Sequence, residues 1–423
     1  MGRVSLHRVS QVAGIAAALV AATLLIRSTV VRLWDYDASD FAPLYLAGAV
    51  VAAGDVDHLY DHHASRFNEL ESEAYDRAAR DAGYRGDMRP FVQPPWVAAV
   101  ARPLTLAPFD VVGRALLIAN VLAVLLGIAL LDRELQLGML RPWPATAMLL
   151  LLHEFEPVRT STELGQTTPL VFLALVLVWV LDRRERQVAA GLVLASVAAF
   201  KLAPALLVAA FLLRKRMRAV YAFAAGGASL ALAGLVFVGW SASTTFAARV
   251  IELSGQSFPA FNNQSVAGFV LRFQYPSDNT LSWRLYRLAP LHTLLSLAVL
   301  AGGVACAWYC WRRARREHRD GLLYGMLIVV MLLVPSISWN HYYIYALIPA
   351  AAAWRARTPD NAVPVGILLA VGLCLMLRYF GLGSWRSLHG NVFMSAYVVG
   401  AVLIFGAMVS VALARHGNAN DAR

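Results

Sequence analysis

From Ser10 to Phe41 the chain reads SQVAGIAAALVAATLLIRSTVVRLWDYDASDF, an apolar run at 10–31 followed by the acidic stretch Asp35-Tyr36-Asp37-Ala38-Ser39-Asp40-Phe41. About 20 apolar residues are what one helical crossing of a hydrocarbon core requires, so the acids mark the chain's return to water. The same pattern recurs. Further apolar runs lie near 112–131, 143–153, 167–181, 188–200, 203–213, 219–241, 289–311, 321–337, 342–354, 362–381 and 391–413, making twelve candidate transmembrane or re-entrant helices in all. Of the 423 residues, 59% are hydrophobic and 15% charged, and mean hydropathy is +0.58, values outside the range of soluble domains. The fold class expected is an all-α polytopic membrane protein, with residues 1–423 forming a single integral membrane domain.

The formal charge of +11 does not imply nucleic acid, because the basic residues fall in short clusters between apolar runs. The clusters Arg183-Arg184-Arg186, Arg214-Lys215-Arg216-Arg218 and Arg312–Arg319, with Arg3, Arg8, Arg133, Arg141, Arg355, Arg357, Arg415 and Arg423, hold more than half of all Lys and Arg. Placed inside by the positive-inside rule, they put both termini in the cytoplasm. The outer side then carries a long first loop, 34–111, a second, 242–288, and short turns near 154–166, 335–341 and 382–390. Basic residues ahead of the first run resemble a secretory signal, but the many later spans favour an uncleaved helix. Abundant Ala and Arg with scarce Lys suggest a GC-rich bacterial genome, hence a bacterial plasma membrane. Cys306, Cys310 and Cys374 all sit in apolar runs without CxxC spacing and read as packing residues.

The runs 188–200 and 203–213 are each too short to cross, yet basic residues flank the pair on both sides. A broken or re-entrant hairpin resolves this, with its tip at Phe200-Lys201-Leu202-Ala203-Pro204. Non-helical backbone at that depth is tolerated only where protein or a water-filled cavity covers it. Lys201 is one of two lysines in the chain, and an ionisable group there costs on the order of 2.5–3.5 kcal/mol, which marks it as functional unless it snorkels to the interface. An anion such as a phosphate is its natural partner.

Within the first outer loop, 64–82 reads as a surface helix, and Pro90-Phe91-Val92-Gln93-Pro94-Pro95-Trp96 as an interfacial stretch anchored by Trp96. An acid near a helix end is ordinarily just solvated. Asp40 stands out from its rivals Asp35 and Asp37 because Phe41, Leu44, Tyr45 and Leu46 form an apolar and aromatic face behind it. In the turn Ser338-Trp339-Asn340-His341, His341 can donate to a phosphate oxygen or orient a carboxylate. Asn263-Gln264-Ser265 precedes Arg272 in the second loop, and Gly165-Gln166 opens another span. Amides suit sugar hydroxyls, and the arginine fork suits a phosphate. The glycosylation sequon spelled at Asn263 reads as accidental.

Taken together, Asp40-Phe41 with Tyr45 and Gly54…Leu59-Tyr60-Asp61, Gln93-Pro94-Pro95, Gly165-Gln166, Lys201-Leu202-Ala203-Pro204, Asn263-Gln264-Ser265 with Arg272, and Ser338-Trp339-Asn340-His341 resemble glycosyltransferase family 87 over roughly residues 35–390. The resemblance implies the GT-C fold, in which a polytopic helical enzyme uses a polyprenyl-phosphate sugar on the outer face of the membrane. Mannosyltransferases that extend phosphatidylinositol mannosides typify it. It implies that Asp40 is the catalytic base and His341 the histidine near the donor phosphate. Tyr45, Gln166, Lys201, Asn263, Gln264, Arg272 and Trp339 are the expected substrate contacts. A monophosphate donor can be handled by cations, and no carboxylate cluster demands a metal, so neither metal nor cofactor is expected. The expected partners are the polyprenyl-phosphate sugar donor, a lipid or glycan acceptor and membrane lipids. A transporter or lipid-linked sugar flippase would share broken helices and intramembrane charge. It would place them near the midplane of symmetric halves, whereas here polar residues gather in outer loops and no repeat is evident.

Overall fold

The computed structural model describes residues 2–34, 36–61, 70–275, 283–377, 391 and 393–414; Asp35 and the turn expected near 382–390 lie outside them. The helices, in chain order, are α1 (Gly2–Trp34), α2 (Ala42–Ala53), α3 (Glu73–Ala82), α4 (Pro95–Ala101), α5 (Phe109–Leu135), α6 (Pro142–Glu154), α7 (Glu156–Glu163), α8 (Thr168–Arg183), α9 (Gln187–Phe200) and α10 (Val208–Leu213). They continue with α11 (Met217–Phe237), α12 (Trp240–Ser254), α13 (Val266–Gln274), α14 (Pro290–Arg313), α15 (Arg319–Leu333), α16 (Leu347–Ala356), α17 (Ala362–Cys374) and α18 (Ala396–Leu413). The one sheet among the described residues pairs β1 (Gln256–Ser257) with β2 (Tyr286–Arg287), antiparallel.

Each of the twelve apolar runs carries helix, but five are long and apolar enough to cross a membrane: α1 from Arg8 onward, α5, α11, α14 and α18. The helices over the other runs have 16 residues or fewer, about 24 Å at most against a core of about 30 Å. The protein is therefore a multi-pass helical membrane protein by length and composition. Hydropathy read α15 as one span among equals, whereas it is the hub of the interior: every residue from Leu322 to Leu333 is buried, as for a helix that is apolar all round. α8, α16 and α18 pack around it, while α1, α11 and α14 leave most of their apolar surface outward, as lipid-facing helices do. α9 and α11 approach closely because Gly191 faces the Ala219 carbonyl, where a Cβ would lie 2.2 Å from the oxygen.

The expected hairpin is broken at its tip. α9 ends at Phe200, Lys201 is extended, and a 3₁₀ turn over Ala203–Leu207 leads into α10. The long first loop is more ordered than its reading as a loop implied. α2, α3 and α4 share a small core of their own, in which Phe41, Tyr45, Leu59, Tyr75, Phe91 and Phe109 are buried. The surface helix expected over 64–82 is found as α3, beginning at Glu73; residues 64–69 are outside the described set. α2 is mostly buried and starts two residues after Asp40, with Phe41 as its N-cap, so packing of its apolar face fixes where that carboxylate stands.

Candidate active site

A cavity of about 970 Å³ opens between the α2–α4 layer and the helical core. Five of the residues singled out in the sequence line it: Asp40, Gln166, Lys201, Trp339 and His341. They come from four segments far apart in the chain, brought together by folding.

Asp40 is held from three directions. Its backbone N–H donates to the Leu164 carbonyl at 2.8 Å. Gln166 Nε2 donates to one carboxylate oxygen at 2.6 Å, and Arg89 Nη1 donates to the other. The Gly165-Gln166 pair makes this possible. Gly165 has φ +73°, and a Cβ there would lie 3.0 Å from Ala38 and 3.1 Å from Phe41 Cβ, so only glycine lets the turn close on the Asp40 segment. Asn120 fixes the same turn by donating to the Gln166 carbonyl at 2.7 Å. Asp37 is exposed and does not line the cavity.

Lys201 meets no carboxylate among the described residues. Its Nζ lies 4.4 Å from the centre of the Tyr342 ring and 3.5 Å from Thr168 Oγ1. His341 is buried and its Nε2 has no hydrogen-bond partner among the described residues. The imidazole stacks on Trp339, with rings 8° from parallel, and meets Tyr342 edge-on. A lysine without a carboxylate and a ring nitrogen without a partner among the described residues, on one cavity wall, suit an anionic group that supplies what they lack.

Burial, and then the Lys201 charge, hold His341 well below its ordinary value. The unfolded chain takes up a proton as pH falls through about 6.5, whereas the folded site resists until pH is much lower. The contribution is therefore complete above the unfolded value and is lost as pH drops below it. We expect the melting temperature of wild type to fall more between pH 7.5 and 5.5 than that of His341→Gln, and equal falls would refute a neutral buried imidazole.

Tyr45, Asn263, Gln264 and Arg272 are not on the cavity wall, in contrast to their expected role as substrate contacts. Tyr45 donates to the Ala107 carbonyl at 2.9 Å and packs against Phe41 and Phe109. Arg272, fully buried, donates to Ser395 Oγ at 2.9 Å and to the carbonyls of Ala260 at 3.0 Å and Asn263 at 2.9 Å. Asn263 Nδ2 donates to Ser257 Oγ and the Phe258 carbonyl, and its Oδ1 accepts from Ser338 N–H at 3.0 Å. Gln264 N–H donates to the Ser338 carbonyl at 2.6 Å, and Asn340 N–H to the Asn262 carbonyl at 2.8 Å. The Asn263-Gln264-Ser265 segment is thus clamped to the turn that presents Trp339 and His341, and Arg272 braces the clamp from behind.

The cavity also contains residues that the sequence did not flag: Arg89, Glu156, Thr160 and Glu163. Glu156 accepts from Thr160 Oγ1 at 2.7 Å, and burial raises its pKa above the usual carboxylate value. Glu163 is paired with Arg32 and Arg159. Among the described residues no three His, Cys, Asp or Glu side chains come together as a metal site.

Residues 91–336, more than half of the chain, match glycosyltransferase family 87; Gln166 and Lys201 fall inside that span, Asp40 and His341 outside it. The polyprenol-phosphate-mannose-dependent alpha-(1-2)-phosphatidylinositol mannoside mannosyltransferase of Mycolicibacterium smegmatis is 26% identical over 303 residues, covering 67% of this chain and 65% of that protein. A protein of the same description from Mycobacterium tuberculosis is 27% identical over 311 residues, covering 68% and 67%. The polyprenol-phosphate-mannose-dependent alpha-(1-2)-phosphatidylinositol pentamannoside mannosyltransferase of Mycobacterium tuberculosis is 29% identical over 289 residues, covering 67% and 62%. The matched region therefore spans about two thirds of the length of these curated relatives. No solved structure matches the chain.

Proposed function

Since the chain belongs to glycosyltransferase family 87, we propose that it is an inverting mannosyltransferase, moving mannose from a polyprenyl-phosphate donor to a hydroxyl of a lipid or glycan acceptor. In this reading the cavity opens on the outer face of a bacterial plasma membrane, with both termini in the cytoplasm and twelve transmembrane or re-entrant helices. The observation that carries it is the convergence of Asp40, Gln166, Lys201 and His341 on one cavity.

Asp40 is the base. Each carboxylate oxygen keeps an acceptor site beyond its bond to Arg89 or Gln166, and those two bonds hold the group in one orientation. The acceptor oxygen attacks the anomeric carbon as its proton passes to Asp40, and the bond from that carbon to the phosphate oxygen breaks. Polyprenyl phosphate leaves with the added negative charge. Lys201, as a cation, and His341, through an Nε2 proton, stabilise that charge. Trp339, stacked on His341, offers an aromatic face to a sugar ring.

The test is transfer of labelled mannose from polyprenyl-phosphate-mannose to a membrane lipid extract by purified protein in nanodiscs. Wild type is expected to form a labelled lipid or glycan. Lys201→Met is expected to lose about 10²–10³-fold in kcat, the usual cost of removing one charge-stabilising donor. Full activity in that variant would remove Lys201 from the phosphate site. An inactive wild type with every polyprenyl-phosphate donor tried would overturn the mannosyltransferase reading.

A further inference from the structure

At the far end of the core from the Asp40 cavity lies a second, smaller pocket. α8 begins beside Thr167 of the first cavity and ends at Arg183 of the second, which separates the two by about 24 Å at 1.5 Å per residue. The pocket holds about 140 Å³, the liquid volume of about five waters.

Its charges are unequal in a specific way. Arg214 is taken up by Asp182 and Asp320, and Arg216 by Glu185. Glu317 is engaged by His318. Arg316 and Arg355 line the same pocket and form no ion pair or hydrogen bond within the described residues. Among the described residues Arg183 meets the Glu134 carbonyl, at 3.2 Å, and the Trp179 ring, and no carboxylate. Burial depresses the His318 pKa, and Arg355, Arg315 and Arg183 depress it further against the opposing pull of Glu317, as excess positive potential requires. Trp179, 4% exposed, also lines the pocket, and its indole N–H is buried without a hydrogen-bond partner among the described residues. Buried donors are rarely left unpaired.

The surroundings indicate where the missing anion comes from. Arg312 lies over Trp308, Arg313 over Tyr309, Arg319 over Trp311 and Arg357 over Trp354. A girdle of Trp, Tyr and Arg is the signature of a membrane–water interface, and basic pockets between helices at that level hold anionic headgroups. We propose that Arg183, Arg316 and Arg355 form a binding site for the phosphodiester of an anionic phospholipid, separate from the sugar-transfer cavity. Planar guanidinium groups bind such oxygens bidentately. The bound headgroup ties together the ends of α8, α15 and α16, whose interiors form the core.

Short-chain phosphatidylglycerol titrated into purified protein in a neutral maltoside micelle tests this, read as the melting temperature. Wild type is expected to be stabilised by phosphatidylglycerol and not by phosphatidylcholine of the same chains. The double variant Arg316→Gln/Arg355→Gln changes exposed side chains that fold without partners, and needs about 10- to 30-fold more lipid for the same shift. An unchanged titration in that variant overturns the site. Inorganic phosphate matching the whole effect overturns the lipid as its source and leaves a site for a soluble phosphate. Neither readout depends on sugar transfer, so failure here is distinct from failure of the mannosyltransferase reading.

Discussion

Asp40→Asn lowers the rate of mannose transfer by about 10²–10⁴-fold, the range for loss of a positioned general base, with little change in melting temperature. Asn matches Asp in shape, and its carbonyl oxygen still accepts from Gln166 or Arg89. The cost of breaking the ion pair is small, because the Arg89 side chain is 39% exposed and water replaces its lost partner. Donor binding should survive as well, since Lys201 and His341 are untouched. The signature is thus a fall in kcat with KM for the donor held, measured beside the melting temperature of each protein. Transfer within threefold of wild type would refute Asp40 as the base. In that case Glu156, a half-buried carboxylate on the cavity wall whose pKa burial raises, becomes the next candidate.

How far the site could be read from the sequence depends on how local its signals are. Asp40, Lys201 and His341 each break an apolar or aromatic context within a few residues, and an ionisable group in such a context is visible one position at a time. Gln166 was visible only as an amide at the start of a span, and the left-handed backbone of Gly165 that aims it emerges in the structure. Arg89 carried no such mark. It sits in a loop already rich in Arg and Asp, and its meaning comes only from Asp40, 49 residues away. The same holds for the chain Glu156–Thr160–Asn340, closed by a contact of 3.5 Å across 180 residues.

The fold shows a parallel division. Every run that hydropathy located bears helix, because burial in lipid and burial in protein both demand apolar residues. Hydropathy could not separate the two, so α15, apolar on all faces because protein surrounds it, read the same as a lipid-exposed span. The length of the uninterrupted helix makes that distinction, and caps and breaks set that length: Pro at the first turn of α6 and α8, and extended Lys201 after α9. The first long loop differs again. Its apolar run at Ala42–Ala53 is too short to cross and stands inside a stretch rich in charge, and its small core exists only once α2, α3 and α4 fold together.

Arg272 provides the sharpest test of scaffold against substrate contact. An arginine two turns into an outer-loop helix, after Asn263-Gln264-Ser265, suggests a phosphate clamp on chemical type alone. The structure gives it no access to the cavity, and its bonds to Ser395, Ala260 and Asn263 span the second loop and the start of α18. Asn391 Nδ2 in turn donates to the Arg272 carbonyl at 2.9 Å. Arg272→Met keeps the volume but strands those buried acceptors, at about 1–3 kcal/mol for each one left unpaired. It also frees the Asn263 segment that holds Ser338 and so loosens the Trp339–His341 turn. We therefore expect a large drop in melting temperature, with activity lost in proportion to folded protein and partly recovered at low temperature. A phosphate-binding arginine would behave differently: melting temperature would hold while KM for the donor rose. Lys at this position retains the charge but not the planar fork that reaches several carbonyls at once. Arg272→Lys is accordingly expected to fall near Met in stability, and a Lys variant with wild-type melting temperature and raised donor KM would return Arg272 to the active site.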